Sequence, residues 1–363
     1  MKSILTVIGT RPEAIKLFPL LDAISKNKRF KNEVCVTGQH TDLLYPFLAN
    51  LKIPVNYHFE NNKQRSTLHQ SAANILEQFG PVFEKSKPDL VVVQGDTTTA
   101  FIAALAAFYS CLPIAHIEAG LRTGHLHSPW PEEGHRYLIS KLATYFFTPT
   151  LQAKETLILE GVSSEKIWVV GNTSIDAIRL ARKPQKPSSH AKSRNIVVTV
   201  HRRENHGEPL IAICQALSSI TELFQDIQIK FLLHPNPAVH ATATRLLSGI
   251  KNIDLIEPMD HPSFIQLLDE STFIITDSGG IQEEATFMGK PVLITRTTTE
   301  RTEGIEAGTA RLVGTKTSHI VACCKELLEK PDVLTAMSKV HLPYGDGYAA
   351  EQILNIFEKV LWA

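Results

Sequence analysis

A dozen short apolar runs constrain the fold before any motif is considered. The first half holds ILTVI (4–8), EVCVT (33–37), LVVVQ (90–94), IAHIE (114–118), YFFT (145–148) and IWVVG (167–171). The second half holds NIVVTV (195–200), QIKFLLH (228–234), IDLIE (253–257), FIIT (273–276), PVLIT (291–295) and ARLVG (310–314). The runs are continuous rather than alternating, which is the pattern of strands buried on both faces. Longer helix-periodic stretches separate them, so parallel sheets with right-handed crossovers are expected. The polar stretch RKPQKPSSHAKSR (182–194) divides the two sets. With 363 residues the chain is long enough for two domains. The reading is α/β: two doubly wound Rossmann-like domains of similar size facing a cleft, with ligands at the carboxyl ends of the strands.

Lys plus Arg equals Asp plus Glu, at 37 each. No net charge therefore draws the chain to nucleic acid or to an anionic membrane, and any anion must be held by local geometry. No run approaches the roughly 20 apolar residues of a membrane span. Arg11 and Glu13 interrupt the first apolar stretch, unlike a secretory leader, so a cytoplasmic protein is expected. Cys35, Cys111, Cys214, Cys323 and Cys324 show no metal-ligating spacing and read as reduced core thiols.

The ionisable residues gather at predicted strand ends. In GTRPEAIK (9–16), Gly9 suits a tight turn, Thr10 a helix cap and Pro12 the first helical turn, with Arg11 and Lys16 beside them. The string is neither GxGxxG nor a Walker loop. In VVVQGDTTTA (91–100), Asp96 could cap the helix and also accept a proton, and the sequence does not separate the two roles. IEAGLRTGHLHSPWPEEGHR (117–136) carries Glu118, Glu132, Glu133 and Arg136, and most of Glu133, His125, His127 and His135 are expected in a solvated loop. In TDSGGIQEEATFMGKPVLI (276–294), Ser278, Gly279 and Gly280 follow a strand and open a helix, where bare N–H groups and the helix dipole favour phosphate. Glu283 and Glu284 follow one turn later, as a solvated acidic face or as acceptors for ribose hydroxyls. His201, Arg202 and Arg203 end another run, His234 another, and Arg296, Arg301 and Glu303 a third.

Together these strings resemble the non-hydrolysing UDP-N-acetylglucosamine 2-epimerases. The likeness rests on GTRPEAIK (9–16), GDTTT (95–99), HIEAGLRT (116–123), PWPEE (129–133), GNTSIDA (171–177), HRREN (201–205), HPNP (234–237), DSGGIQEEA (277–285), GKPVL (289–293), TTERTEG (298–304) and PYGDG (343–347). The resemblance implies a two-lobed fold like that of glycosyltransferase-B enzymes. Its first domain would span 1–170, with 346–363 returning to it, and its second 171–345. It implies a homodimer, no NAD and no metal. The implied reaction interconverts UDP-GlcNAc and UDP-ManNAc, supplying ManNAc units for surface polysaccharides.

Carried over position by position, Asp96, Glu118 and Glu132 match the family's catalytic carboxylates. Lys16 and His201 match positions needed for activity. Arg11, Lys16, Arg136, His201, Ser278, Gly279, Gly280, Glu284 and Arg301 match its UDP-sugar contacts. Gln39, His40, Arg65, Arg202 and His234 match an allosteric site for a second UDP-GlcNAc. The sequence departs from the family pattern there, with Gly38 and Thr41 flanking the Gln-His pair, and again with Gly134 and His135 after Glu133. A glycosyltransferase of the same fold and a non-catalytic UDP-sugar sensor are the rival readings; the concentration of carboxylates in the first half argues against the former, and the presence of all three carboxylates together with Lys16 against the latter.

Overall fold

The computed structural model describes residues 1–38, 41–60, 67–182, 194–234 and 236–362. The apolar runs become strands, and those at the centre of each sheet are covered on both faces. The first seven are β1 (Lys2–Ile8), β2 (Phe30–Val36), β3 (Tyr57–His58), β4 (Leu90–Gln94), β5 (Ile114–Ile117), β6 (Tyr145–Thr148) and β7 (Ile167–Val169). They form one parallel sheet in the order β3-β2-β1-β4-β5-β6-β7. β1 shows why its run is unbroken. Ile4 and Ile8 pack with Leu17, Leu20 and Ile24 on one side, while Leu5 and Val7 pack with Phe79 and Ala103 on the other. Each such side chain contributes about 1.5–3 kcal/mol by leaving water.

The remaining strands are β8 (Arg194–Thr199), β9 (Ile227–Leu232), β10 (Ile253–Ile256), β11 (Phe273–Thr276), β12 (Val292–Ile294) and β13 (Ala310–Leu312). They form a second parallel sheet in the order β10-β9-β8-β11-β12-β13. Every expected strand forms. The strand that the sequence did not show is β3, two residues at a sheet edge and too short to leave a pattern. In each sheet the strand order reverses next to its first strand, between β1 and β4 and between β8 and β11. Those reversals are the topological switch points where parallel sheets of this kind receive ligands.

The chain divides into two compact units, Met1–Leu180 with Tyr344–Ala363, and Ala181–Pro343. The sequence division at 170/171 placed the helix Thr173–Ala181 in the second domain, whereas nearly all of it lies in the first unit. The reason is Asp176, which is fully buried and accepts from the backbone N–H groups of Ala349 (3.2 Å) and Ala350 (2.8 Å). Burial raises that carboxyl to about 6. The returning helix Ala349–Val360 then places Ile353 and Phe357 in the first core, with Phe357 edge-on to Phe147 at 5.4 Å. Four cysteines are buried free thiols; Cys111 is exposed, against expectation, because it lies in the turn after the helix Thr98–Tyr109. Among the described residues no helix is long and apolar enough to cross a membrane.

Candidate active site

In the first unit, two turns at the sheet's switch point interlock. Thr10 caps the helix Arg11–Lys26 by accepting from the Glu13 N–H. A Cβ on Gly9 would stand 2.0 Å from Thr99 Oγ1, so only glycine lets the turn after β1 lie against the turn after β4. Glu13 ties the same two turns. It accepts from Gly9 N (3.1 Å), Thr10 Oγ1 (2.8 Å) and Thr97 Oγ1 (2.8 Å). Full burial pushes its carboxyl up to about 7, although the hydrogen bonds pull the other way.

The turn after β4 carries Asp96, which is not a helix cap. Thr97 takes that role, accepting from Ala100 N at 3.0 Å. Asp96 Oδ2 instead receives Arg136 Nε at 2.8 Å and Nη2 at 2.6 Å, and Arg136 Nη1 donates to Glu133 Oε2 at 2.8 Å. At the end of β5, Glu118 Oε2 lies 2.5 Å from Lys16 Nζ and also accepts from the Gln94 amide. Glu118 adopts a left-handed backbone, φ 63°, a conformation that costs a non-glycine residue about 1–3 kcal/mol. Just before it, buried His116 donates from Nε2 to Gly95 O at 2.8 Å, because a carbonyl only accepts. Burial brings the His116 imidazole down to about 4, so it is neutral.

Glu132 is half-buried and opens the helix Glu132–Leu142, with Arg136 one turn on. Glu133, one of the four residues of which most were expected in a solvated loop, is fully buried. It accepts from Thr123 N (2.8 Å), Gly124 N (3.1 Å) and Arg136, and so pins the loop to the helix. His135 is also buried, not solvated: its Nδ1 donates to Asp96 O at 2.8 Å, and its ring stacks on Phe101. His125 and His127 are exposed, as read from the sequence. Arg11 lies 5.6 Å from the Phe47 ring centroid.

In the second unit, the helix Gly279–Met288 follows β11, with Ser278 at its cap position making no side-chain cap bond. The first backbone N–H groups of such a helix have no intrahelical acceptor and suit an anion. The Arg301 guanidinium lies on Gly279: a Cβ there would meet its Nη1 at 2.6 Å and Cζ at 2.7 Å. Arg301 Nε donates to Glu283 Oε1 at 2.7 Å and Nη1 to Glu300 Oε1. Glu283 and Glu284 are buried, so the solvated acidic face does not form. Arg296 is held by Glu204 (2.8 Å) and Glu300 (2.9 Å), and Arg202 Nη2 stands 3.7 Å from Glu300. His201 rests its Nδ1 on Asp277 Oδ1 at 3.0 Å and stacks on His234 with ring centroids 5.9 Å apart.

The profile of UDP-N-acetylglucosamine 2-epimerase matches residues 22–358. The UDP-N-acetylglucosamine 2-epimerase of Salmonella typhimurium is 44% identical over 365 residues, 97% of each chain. The chain belongs to the UDP-N-acetylglucosamine 2-epimerase family. The Neisseria meningitidis UDP-GlcNAc 2-epimerase, solved bound to UDP-GlcNAc, matches with a TM-score of 0.95 at 40% identity over 98% of this chain and 100% of that one. The Methanocaldococcus jannaschii UDP-GlcNAc 2-epimerase, in complex with UDP-GlcNAc and UDP, matches with a TM-score of 0.85 at 32% identity over 99% of this chain and 100% of that one.

Within this epimerase-family frame, the structure joins Asp96 to Arg136 and Lys16 to Glu118 in the first unit. It places Ser278, Gly279, Gly280 and Glu284 on one helix of the second unit, with Arg301 against its start. Arg136, carried over as a UDP contact, has its guanidinium on two carboxylates of its own unit. Gln39, His40 and Arg65 lie outside the described residues. Sequence reasoning assigned no role to Glu13, Gln94, His116, Asn205, Asp277 or Glu300. Asp277 and Glu300 had a signal, each sitting in a strand-end string, but nothing local reveals which distant base each one meets.

Proposed function

We propose that this chain catalyses reversible epimerisation at C2 of UDP-GlcNAc to UDP-ManNAc, without hydrolysis, for use in surface polysaccharide synthesis. The observation that carries the reading is the strand-end cluster of the first unit. Asp96 is fixed by Arg136 and Glu118 by Lys16, and Glu132 stands at the start of the helix that carries Arg136.

The C2 hydrogen of the substrate lies beside an acetamido group, not a carbonyl, so direct deprotonation is a poor route. Elimination is better. The C1–O bond breaks, its electron pair leaves with UDP, and a carboxylate takes the C2 proton to give 2-acetamidoglucal. UDP then adds back to C1 while a second acid delivers a proton to the opposite face of C2. Inversion thus requires two carboxyl groups, for which Asp96 and Glu132 are our assignment. Glu118, with Lys16, is assigned to C1 and the sugar. Lys16 and His201 answer the charge developing on the diphosphate, and Ser278, Gly279, Gly280 and Arg301 hold its phosphates. Arg11 joins them, and Glu284 accepts from the ribose hydroxyls. Activation by a second UDP-GlcNAc and a homodimeric state complete the reading, testable by rate curves and by gel filtration.

Incubation with UDP-GlcNAc in D2O, followed by NMR, tests it. Deuterium at C2 with a UDP-ManNAc signal and no acceptor is expected. Free ManNAc with stoichiometric UDP, or turnover only with an added acceptor, refutes it. Asp96→Asn and Glu132→Gln should each abolish turnover while UDP still binds; normal turnover in either one removes that residue from the acid/base pair.

A further inference from the structure

The second unit contains a buried carboxylate for which the reading above has no use. Asp277 follows β11 and is 0% exposed. Its Oδ1 meets His201 Nδ1 at 3.0 Å and the His201 backbone N–H at 3.1 Å. Its Oδ2 accepts from the backbone N–H groups of His201 (3.0 Å) and Arg202 (2.9 Å) and from Asn205 Nδ2 (2.8 Å). Asn205 is itself anchored by donating to Thr295 O at 3.1 Å. Burial alone would raise this carboxyl, but the His201 contact and the other donors outweigh it and bring it to about 2.

An ionised carboxylate only accepts hydrogen bonds. The hydrogen in the His201–Asp277 contact therefore sits on Nδ1, and Nε2 is left as the nitrogen that gains and loses a proton. The ring is otherwise placed by His234, which stacks against it. His234 Nδ1 accepts from Asn236 N at 3.2 Å, and burial together with the neighbouring His201 lowers its imidazole from the ordinary value. The arrangement is a carboxylate that orients an imidazole from below and a second ring that fixes its plane. The rest of the imidazole stays accessible, the His201 side chain being 35% exposed.

We propose that Asp277 is a positioning residue for the epimerisation. It locks His201 in the Nδ1–H form so that Nε2 donates a proton to the departing diphosphate. As C1–O breaks, the electron pair stays on the β-phosphate oxygen, the Nε2 proton of the imidazolium passes to that oxygen, and neutral imidazole remains. On re-addition the oxygen bonds C1 and the proton returns to Nε2. This rests on the proposed function, and on His201 acting at the diphosphate.

The test is a double-mutant cycle on the full chain with Asp277→Asn, His201→Asn and the pair, measuring kcat, KM and UDP affinity. Asp277→Asn should lower kcat about a hundredfold, with KM and UDP affinity changed less than about threefold. The double variant should be no slower than His201→Asn alone. Multiplying losses, or near-normal kcat in Asp277→Asn while His201→Asn is slow, overturns the dyad and leaves the proposed function standing. Normal turnover in His201→Asn overturns the role of His201 and the dyad with it. A measurement on the unmutated protein covers a variant that does not fold. Long-range 15N–1H NMR of the neutral His201 ring should show the hydrogen on Nδ1, and a hydrogen on Nε2 overturns the proposal.

Discussion

At the ends of β4 and β5, acids meet bases and the pairs keep some contact with water. Asp96 holds Arg136 while 27% of its own side chain is exposed, and Glu118, 6% exposed, pairs with Lys16, which is 15% exposed. Beyond β11 and β12 the acids themselves are fully enclosed. Arg301 lies between Glu283 and Glu300, each 0% exposed, and Arg296 shares Glu300 from its other oxygen. The strand order around each switch point is the same. Topology supplies the place, and the turn residues supply the chemistry. The first unit leaves Asp96 partly open to solvent, whereas the second encloses Glu300 and Asp277 completely around the cations and the histidine they hold.

That contrast breaks most visibly at Arg301. Arg301→Ala leaves Glu283 and Glu300 buried with one base fewer, and should cost about 3–5 kcal/mol. Lys16→Ala should cost less, about 1–3 kcal/mol, because Gln94 still donates to Glu118. Denaturant unfolding of both variants checks the order, and a larger loss for Lys16→Ala would refute the contrast.

Glu13 sharpens the same comparison through pH. Folded Glu13 keeps its proton up to about 7, while an unfolded glutamate releases it near 4.5. Between those values the folded state holds one proton more, so stability falls as pH rises. Glu13→Gln removes this ionisation and should flatten that stretch of the stability curve by about 3 kcal/mol. His116 works in the opposite sense, since its folded value near 4 lies below 6.5 and its contribution is lost as pH falls through that interval. An unchanged curve in Glu13→Gln would show that Glu13 is ionised in the fold.

The smallest expected effect separates two glycines. Gly9→Ala drives a methyl into Thr99 and should cost about 1–3 kcal/mol by overpacking. Gly280→Ala meets nothing nearer than Glu284 Oε1 at 4.0 Å and should shift stability by less than about 0.5 kcal/mol. Thermal unfolding ranks the pair, and equal melting temperatures would deny the interlocking of the two turns in the first unit.

Much of this was legible in the sequence, for local reasons. Continuous Val- and Ile-rich runs mark strands because both faces are buried, and Thr10 with Pro12 marks a helix start because a cap and a first turn need those residues. The two-residue β3 left no pattern. Asp96 looked like a cap because it precedes three threonines, yet Thr97 has the better placed oxygen. Glu133 looked solvated because its neighbours are polar, but it fills the space between a loop and Arg136.

By itself the sequence determined the two parallel sheets, the strand-end strings and, through their order along the chain, the family. The tertiary structure alone decided the partners. Lys16 meets Glu118 across 102 residues, Arg136 meets Asp96 across 40, and His201 meets Asp277 across 76. Strand and turn signals are written in neighbouring residues, because backbone conformation is a local choice. Which charge pairs with which depends on strand order, which brings distant turns to one end of a sheet, and on burial, which makes an unmatched charge too costly to keep.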